Sequence, residues 1–189
     1  CCCINMLSDI EFKNWKVSDI QSNAKGAKSA SILSNGESPR IRIATAGEPL
    51  TTPFHPSAFN EGATRLNIDF HVPKYLEDFL IRLDDWAKQT LLEHSARLFK
   101  REVSASEIDF MYQSCLKKHV KNDISYPDTF KCKLNSQGVK SCRIWTFDHE
   151  SRKLPENMTH CDLVPLVQVK NFWFANNTCG LFVECTNLM

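Results

Sequence analysis

Glycine is scarce in this chain: six residues in 189. Loops that cradle phosphate depend on glycine, because a backbone without Cβ can close on the anion, so no nucleotide loop of that kind is expected. G-x-S-x-G and H-E-x-x-H are also missing, which removes the familiar signatures of α/β hydrolases and zinc proteases. No apolar run reaches the roughly 18 residues that a membrane helix requires. Charge of one sign is not in excess either. The 23 Lys and Arg nearly balance 22 Asp and Glu, leaving a formal net charge of +1, so no global basic field demands a nucleic acid or a membrane.

Cysteine is plentiful but unpatterned. Nine occur, three of them as Cys1, Cys2 and Cys3, and the six internal ones show no C-x-x-C spacing, which argues against a secreted disulfide framework. Cys132, Cys142, His149, His160 and Cys161 come nearest to a metal cluster, yet their separations fit no zinc module. Asp84-Asp85 and Asp148-His149-Glu150 read as ordinary surface. The sequons at Asn157 and Asn176 would matter only on a secretory route. The expectation is an intracellular, non-enzymatic protein without a cofactor. The opening CCCINML lacks an initiator Met, and the last residues fall within an alternating strand; both suggest a processed or partial product.

What is present is mostly strand. Residues 10–15, 40–44 and 66–70 alternate apolar and polar side chains, as half-buried strands do. Residues 21–39, rich in Ser, Ala, Gly and Lys, read as a long loop or flexible hairpin. Leu76, Leu80, Leu83, Ala87, Leu91, His94 and Leu98 then recur every three or four residues as one helical stripe. Asp78–Arg82, Asp84–Lys88 and Glu93–Arg97 offer surface pairs along it. Ser104-Ala105-Ser106-Glu107 spells a capping box opening a second helix. Residues 130–135 and 142–147 flank Ser136-Gln137-Gly138-Val139, a hairpin signal. A final hairpin turns at Ala175-Asn176-Asn177-Thr178.

This order predicts an α+β fold: an OB-like β-barrel with a two-helix insertion between the third and fourth strands, although strands at this spacing also suit a sandwich. Residues 1–39 form an N-terminal strand and flexible loop region, and 40–189 the OB-like domain with its helical insert at 74–119.

Basic residues concentrate in one stretch. Residues 117–143 carry Lys117, Lys118, Lys121, Lys131, Lys133, Lys140 and Arg143 against Asp123 and Asp128, a patch that attracts phosphate or simply solvates a face. Strand alternation puts Val167, Val169 and Trp173 inward with Leu181, Val183 and Cys185. It puts Gln168, Lys170, Phe172 and Phe174 outward with Phe182, Glu184 and Thr186. That outward row fits a stacking platform for bases; it equally fits burial of Phe172 and Phe174 beneath an inserted helix. In the 130–147 hairpin one register sends Trp145 into the core. A one-residue bulge sets Lys131 and Lys133 beside Arg143 and Trp145 instead.

Five stretches carry a family resemblance: TPFHPSAFNEGATRLNIDF, LDDWA, SARLFKREVSASEIDFMYQSCLK, YPDTFKCKLN and PLVQVKNFWFANNTCGLFVE. In this order they resemble the OB-like single-stranded-DNA-binding proteins of large DNA viruses of algae and protists and related eukaryotic sequences. The resemblance spans residues 49–188. It implies a protein that coats single-stranded nucleic acid through Lys131, Lys133, Arg143, Trp145, Lys170, Phe172 and Phe174. The competing expectation is a structural or assembly subunit of a virion or larger complex, in which the same aromatic face meets a protein partner or a second copy.

Overall fold

A computed structural model describes residues 7–189 except Lys25 and Phe59. Cys1, Cys2 and Cys3 therefore lie outside the described residues. After a 3-10 turn at Leu7–Asp9 come β1 (Trp15–Val17), β2 (Gln21–Ser22), β3 (Lys28–Ser34), β4 (Arg40–Arg42), β5 (Leu50–Thr51), β6 (Ser57–Ala58) and β7 (Arg65–His71). The helices follow: α1 (Lys74–Glu93), α2 (Ser95–Phe99) and α3 (Ala105–Met111). Next are β8 (Tyr112–Gln113), β9 (Leu116–Lys121), β10 (Ile124–Asn135), β11 (Arg143–Trp145) and β12 (Ser151–Arg152). The chain ends with β13 (Asp162–Leu163), β14 (Pro165–Ala175) and β15 (Thr178–Leu188).

The fold is mixed α+β, mostly sheet. One sheet is ordered β1-β3-β14-β15-β10-β7-β6, with β2, β4, β8, β9, β11 and β12 attached along it, and β5 pairs separately with β13. Among the described residues this path has two free ends, so the expected closed barrel is corrected to an open sheet. β14 and β15 form the long antiparallel hairpin read from the sequence. Its turn at Asn176 and Asn177 has φ of 47° and 60°, the left-handed pair that a tight two-residue hairpin requires.

The helical stripe packs as its spacing predicts: Leu76, Phe79, Leu80, Leu83, Ala87 and Leu91 are all buried against one sheet face. The helices end at Met111, and residues 112–113 and 116–119, expected to be helical, are strand. The insert is three helices rather than two, because α1 breaks at His94 (φ −104°, ψ 18°). The capping box is present in full: Glu107 N–H donates to Ser104 Oγ and Ser104 N–H donates to the Glu107 carboxylate.

The ion pairs differ from those expected along α1. Lys88 pairs with Asp109 and Arg97 with Asp19, while Arg82 donates to the carbonyls of Leu7, Ser8 and Ile10. Asp84 is buried rather than on the surface. Its carboxylate accepts from Tyr112 Oη at 2.6 Å, from Ser114 Oγ, and from the Cys115 N–H at 3.1 Å, pinning the chain as it leaves the helices for the sheet. Truncation would leave those donors buried without an acceptor. Asp84→Ala is therefore expected to destabilise the protein by about 2–4 kcal/mol, read by urea unfolding.

Long-range pairing decides two other expectations. Within residues 21–39, read as a long loop or flexible hairpin, β2 and β3 do form an antiparallel hairpin, and β3 also joins the sheet by pairing with β14. Residues 130–135 and 142–147 do not make a hairpin with each other. β10 leaves β15 at Leu134 opposite Cys185, and after residues 136–142 the chain returns parallel to the same strand, with Arg143 opposite Asn187.

Candidate nucleic-acid interface

The helices cover one face of the sheet, so the register decides which side chains reach the other. Along β14, Val167 and Val169 point into the core. Val169 then pairs with Val183 but Asn171 with Phe182, leaving Lys170 as an extra residue. A bulge of this kind reverses the facing of everything after it. Phe172 turns inward, has no exposed surface, and stacks on Trp86 of α1 at 6.0 Å. Phe174 packs edge-on against Phe99 of α2 at 5.6 Å. Both were candidates for base stacking. Phe172 is corrected to a core residue, and Phe174 is half-buried beneath the helices, as the alternative reading had it.

Trp173, expected in the core, takes the free face instead. It lies across Gly180: a Cβ there would sit 3.0 Å from the indole Cζ2 and 3.0 Å from the Gln113 carbonyl oxygen. Glycine is thus required by the close approach of the ring.

Laterally paired residues share a face, so the free surface can be read as rows. Arg42, Leu166, Asn187 and Arg143 form the first. Arg40, Gln168, Glu184, Lys133 and Asn67 form the second. Beyond them Asn171 pairs with Phe182, and Trp173 lies between Ser29 and Gly180. On β10 and β7, Lys131 stands opposite Asp69 and Asn135 opposite Arg65. The Arg65 guanidinium covers the Phe182 ring at 5.1 Å.

Two adjoining cavities open on this face and share Leu166 and Asn187. One, of about 280 Å³, is lined by Arg40, Lys140, Arg143, Lys170 and Glu184; the other, of about 310 Å³, by Arg42, Trp145 and His149. Trp145 lies two residues from Arg143 on the side opposite Ile144, which pairs with the fully buried Leu188. The arrangement foreseen for a bulged hairpin, with Lys131 and Lys133 on one surface with Arg143 and Trp145, arises here because β11 docks on β15.

The face thus gathers Arg40, Arg42, Arg65, Lys131, Lys133, Lys140, Arg143 and Lys170 against the strand carboxylates Asp69 and Glu184. These cations divide into two kinds. Lys170 is committed to an ion pair with Glu184, which is 4% exposed and also accepts from Asn135 Nδ2. Lys131 lies 3.7 Å from Asp69. Arg40, Arg42, Lys140 and Arg143 form no salt bridge among the described residues and remain free for an anionic ligand. Lys133 donates to Asn67 Oδ1 at 2.5 Å. Burial, and then repulsion from Lys131 and Arg65, holds its pKa below the ordinary lysine range. Burial raises the Asp69 carboxyl, partly offset by Lys131. A phosphate beside Lys133 would relieve that repulsion.

Five of the seven residues proposed from the sequence therefore share this face: Lys131, Lys133, Arg143, Trp145 and Lys170. Arg40, Arg42, Arg65, Lys140, Trp173 and Phe182 complete it. The alternation of Arg40-Ile41-Arg42 already placed both arginines on one side, and Gly180 marked where an aromatic ring could lie flat.

No family model matches the chain, and no curated protein matches it. Among solved structures it is similar to the single-stranded DNA-binding protein from bacteriophage Enc34 in complex with ssDNA, with a TM-score of 0.47, 11% sequence identity, and 92% of this chain and 93% of that chain covered. It is also similar to a C-terminal truncation of that protein, with a TM-score of 0.44, 10% identity, and 92% and 91% covered.

The helical side has its own aromatic group, in which Phe12 stacks on Trp86 at 5.7 Å and Trp15 meets Trp86 edge-on at 5.0 Å. They line a cavity of about 650 Å³. Among the described residues no three His, Cys, Asp or Glu side chains are placed to hold a metal ion, and no helix is long and apolar enough to cross a membrane. Burial pushes the thiols of Cys115, Cys179 and Cys185 up, Cys179 to about 11, which suits packing rather than nucleophilic chemistry.

Proposed function

We propose that this protein binds single-stranded nucleic acid, DNA foremost, on the helix-free face of its sheet, and does so without catalysis. The observation that carries the reading is the segregation of charge. A chain of net charge +1 sets eight cations against two strand carboxylates on one face, interleaved with Trp145, Trp173 and Phe182. Free guanidinium groups neutralise phosphates, and the aromatic rings accept bases that are not held in a duplex. The resemblance to single-stranded-DNA-binding proteins of large DNA viruses supports the same reading, under which the protein would act inside cells, in the nucleus or at a site of viral replication. Glu184 is enclosed by Lys170 and Asn135, so it holds the cations in place with little of its charge directed at a ligand.

Binding of this kind has low sequence preference and weakens with salt. Fluorescence anisotropy with oligo-dT, oligo-U and duplex DNA, each at low and physiological salt, is expected to show salt-sensitive binding to oligo-dT over the duplex. Absence of binding at low salt would overturn the proposal and assign the face to a protein partner in an assembly, since interfaces between proteins also favour Trp and Arg. Trp173→Ala is expected to lower oligo-dT affinity about 5- to 100-fold, from the loss of one base stack, with an unchanged salt slope.

A further inference from the structure

The hairpin of β9 and β10 extends beyond the body of the sheet. Its outer residues are solvent-exposed on both sides, with Val120 67%, Ile124 57% and Tyr126 49% accessible. A two-stranded hairpin is only marginally stable by itself in water, and apolar side chains at its tip gain from contact with a partner. The turn at Asn122 and Asp123 has φ of 51° and 60°, which matches the local chemistry of a tight hairpin.

Register determines what each side of this arm presents. Thr129 pairs with Lys117, but Tyr126 pairs with His119, so β10 carries one extra residue where Pro127 and Asp128 lie. Proline has no N–H to give to a ladder and settles at such irregularities. Because of that bulge, Tyr126 shares a side with Thr129, and Thr129 shares a side with Lys131 and Lys133 by alternation along β10. Lys117, His119 with its partner Tyr126, and Lys121 with its partner Ile124 therefore continue the cationic face outward. Val120 and its partner Ser125 point the other way. His119 Nε2 lies 2.8 Å from Thr129 Oγ1, tying the ring to the base of the arm.

We infer that the β9–β10 arm is a second contact for the same single strand, with Tyr126 stacking on a base and Lys117 and Lys121 meeting phosphates beyond the sheet. This rests on the proposed interface and extends it. The occupant is a polyanion because the Tyr126 side adds two lysines and no carboxylate, whereas Lys118 is already paired with Glu77 and Asp128.

The test compares oligo-dT of about 6 and about 15 nucleotides, within the range that one module covers, on the full chain. Lys121→Ala with Tyr126→Ala is expected to weaken binding of the longer oligonucleotide about tenfold or more and to leave the shorter one unchanged. Val120→Ser, on the opposite side, is expected to change neither. The inference is overturned if the double variant binds the longer oligonucleotide as the unmodified protein does. Equal weakening by Val120→Ser, or a changed sedimentation coefficient of the free protein, would also overturn it by assigning the arm to a protein contact. Failure of the unmodified protein to bind any oligo-dT would sink the interface itself, and the arm with it.

Discussion

Reversing Arg40 and Arg143 together to Glu is expected to lower affinity for oligo-dT by at least about 100-fold, the combined effect of two charge-assisted phosphate contacts, while leaving the fold intact. The two guanidinium groups reach the 280 Å³ groove from separate elements, β4 and β11. Neither has a carboxylate partner among the described residues, so their removal orphans no buried charge. Lys170 would be a poorer choice, because its loss would strand the buried Glu184 and confuse binding with stability. The salt dependence should fall with the affinity, by roughly one unit of slope for each phosphate contact removed. The same charge change on the helical side, Lys74→Glu with Arg101→Glu, should leave both quantities near the unmodified values. Anisotropy titrations across a salt series check this, and an equal loss from the helical-side variant would mean that overall charge rather than this face drives binding.

Phe172→Ala is expected to cost about 3–5 kcal/mol of stability, as for other fully buried aromatic side chains, and to leave the affinity of each folded molecule unchanged. The ring has no accessible surface, stacks on Trp86 at 25° between planes, and lies between Ala30 and Leu181 on the neighbouring strands. Its neighbour Trp173 should behave in the opposite way, losing binding with little loss of stability. Urea unfolding paired with stoichiometric binding separates the two. A Phe172→Ala protein of normal stability that no longer binds would contradict the bulge-determined facing.

Local chemistry made much of the framework legible. The α1 stripe, the Ser104 capping box, the Asn176-Asn177 turn and the Arg40–Arg42 alternation each follow from side chains within a few residues of one another. What escaped was non-local. The bulge at Lys170 is defined only by the offset between β14 and β15, and it exchanged Trp173 with Phe172 between faces. The place of β3 inside the main sheet was hidden because Ser29 and Ala30 are small. They are small because their partners are Trp173 and Phe172, whose bulk fills the space that larger β3 side chains would need. β11 was read as the return strand of a hairpin, whereas its partner is β15, more than forty residues further along the chain. The basic density of residues 117–143 was visible as composition, but only the register of β10 shows that its lysines continue from the sheet onto the arm.

The most direct measurement is photo-crosslinking of an oligo-dT carrying halogenated uracil, followed by mass spectrometry of the adducts. The free-face account predicts adducts at Trp173, Phe182 and Trp145, suppressed by Arg40→Glu with Arg143→Glu. Adducts confined to Phe12, Trp15 and Trp86, around the cavity on the helical side, would contradict it.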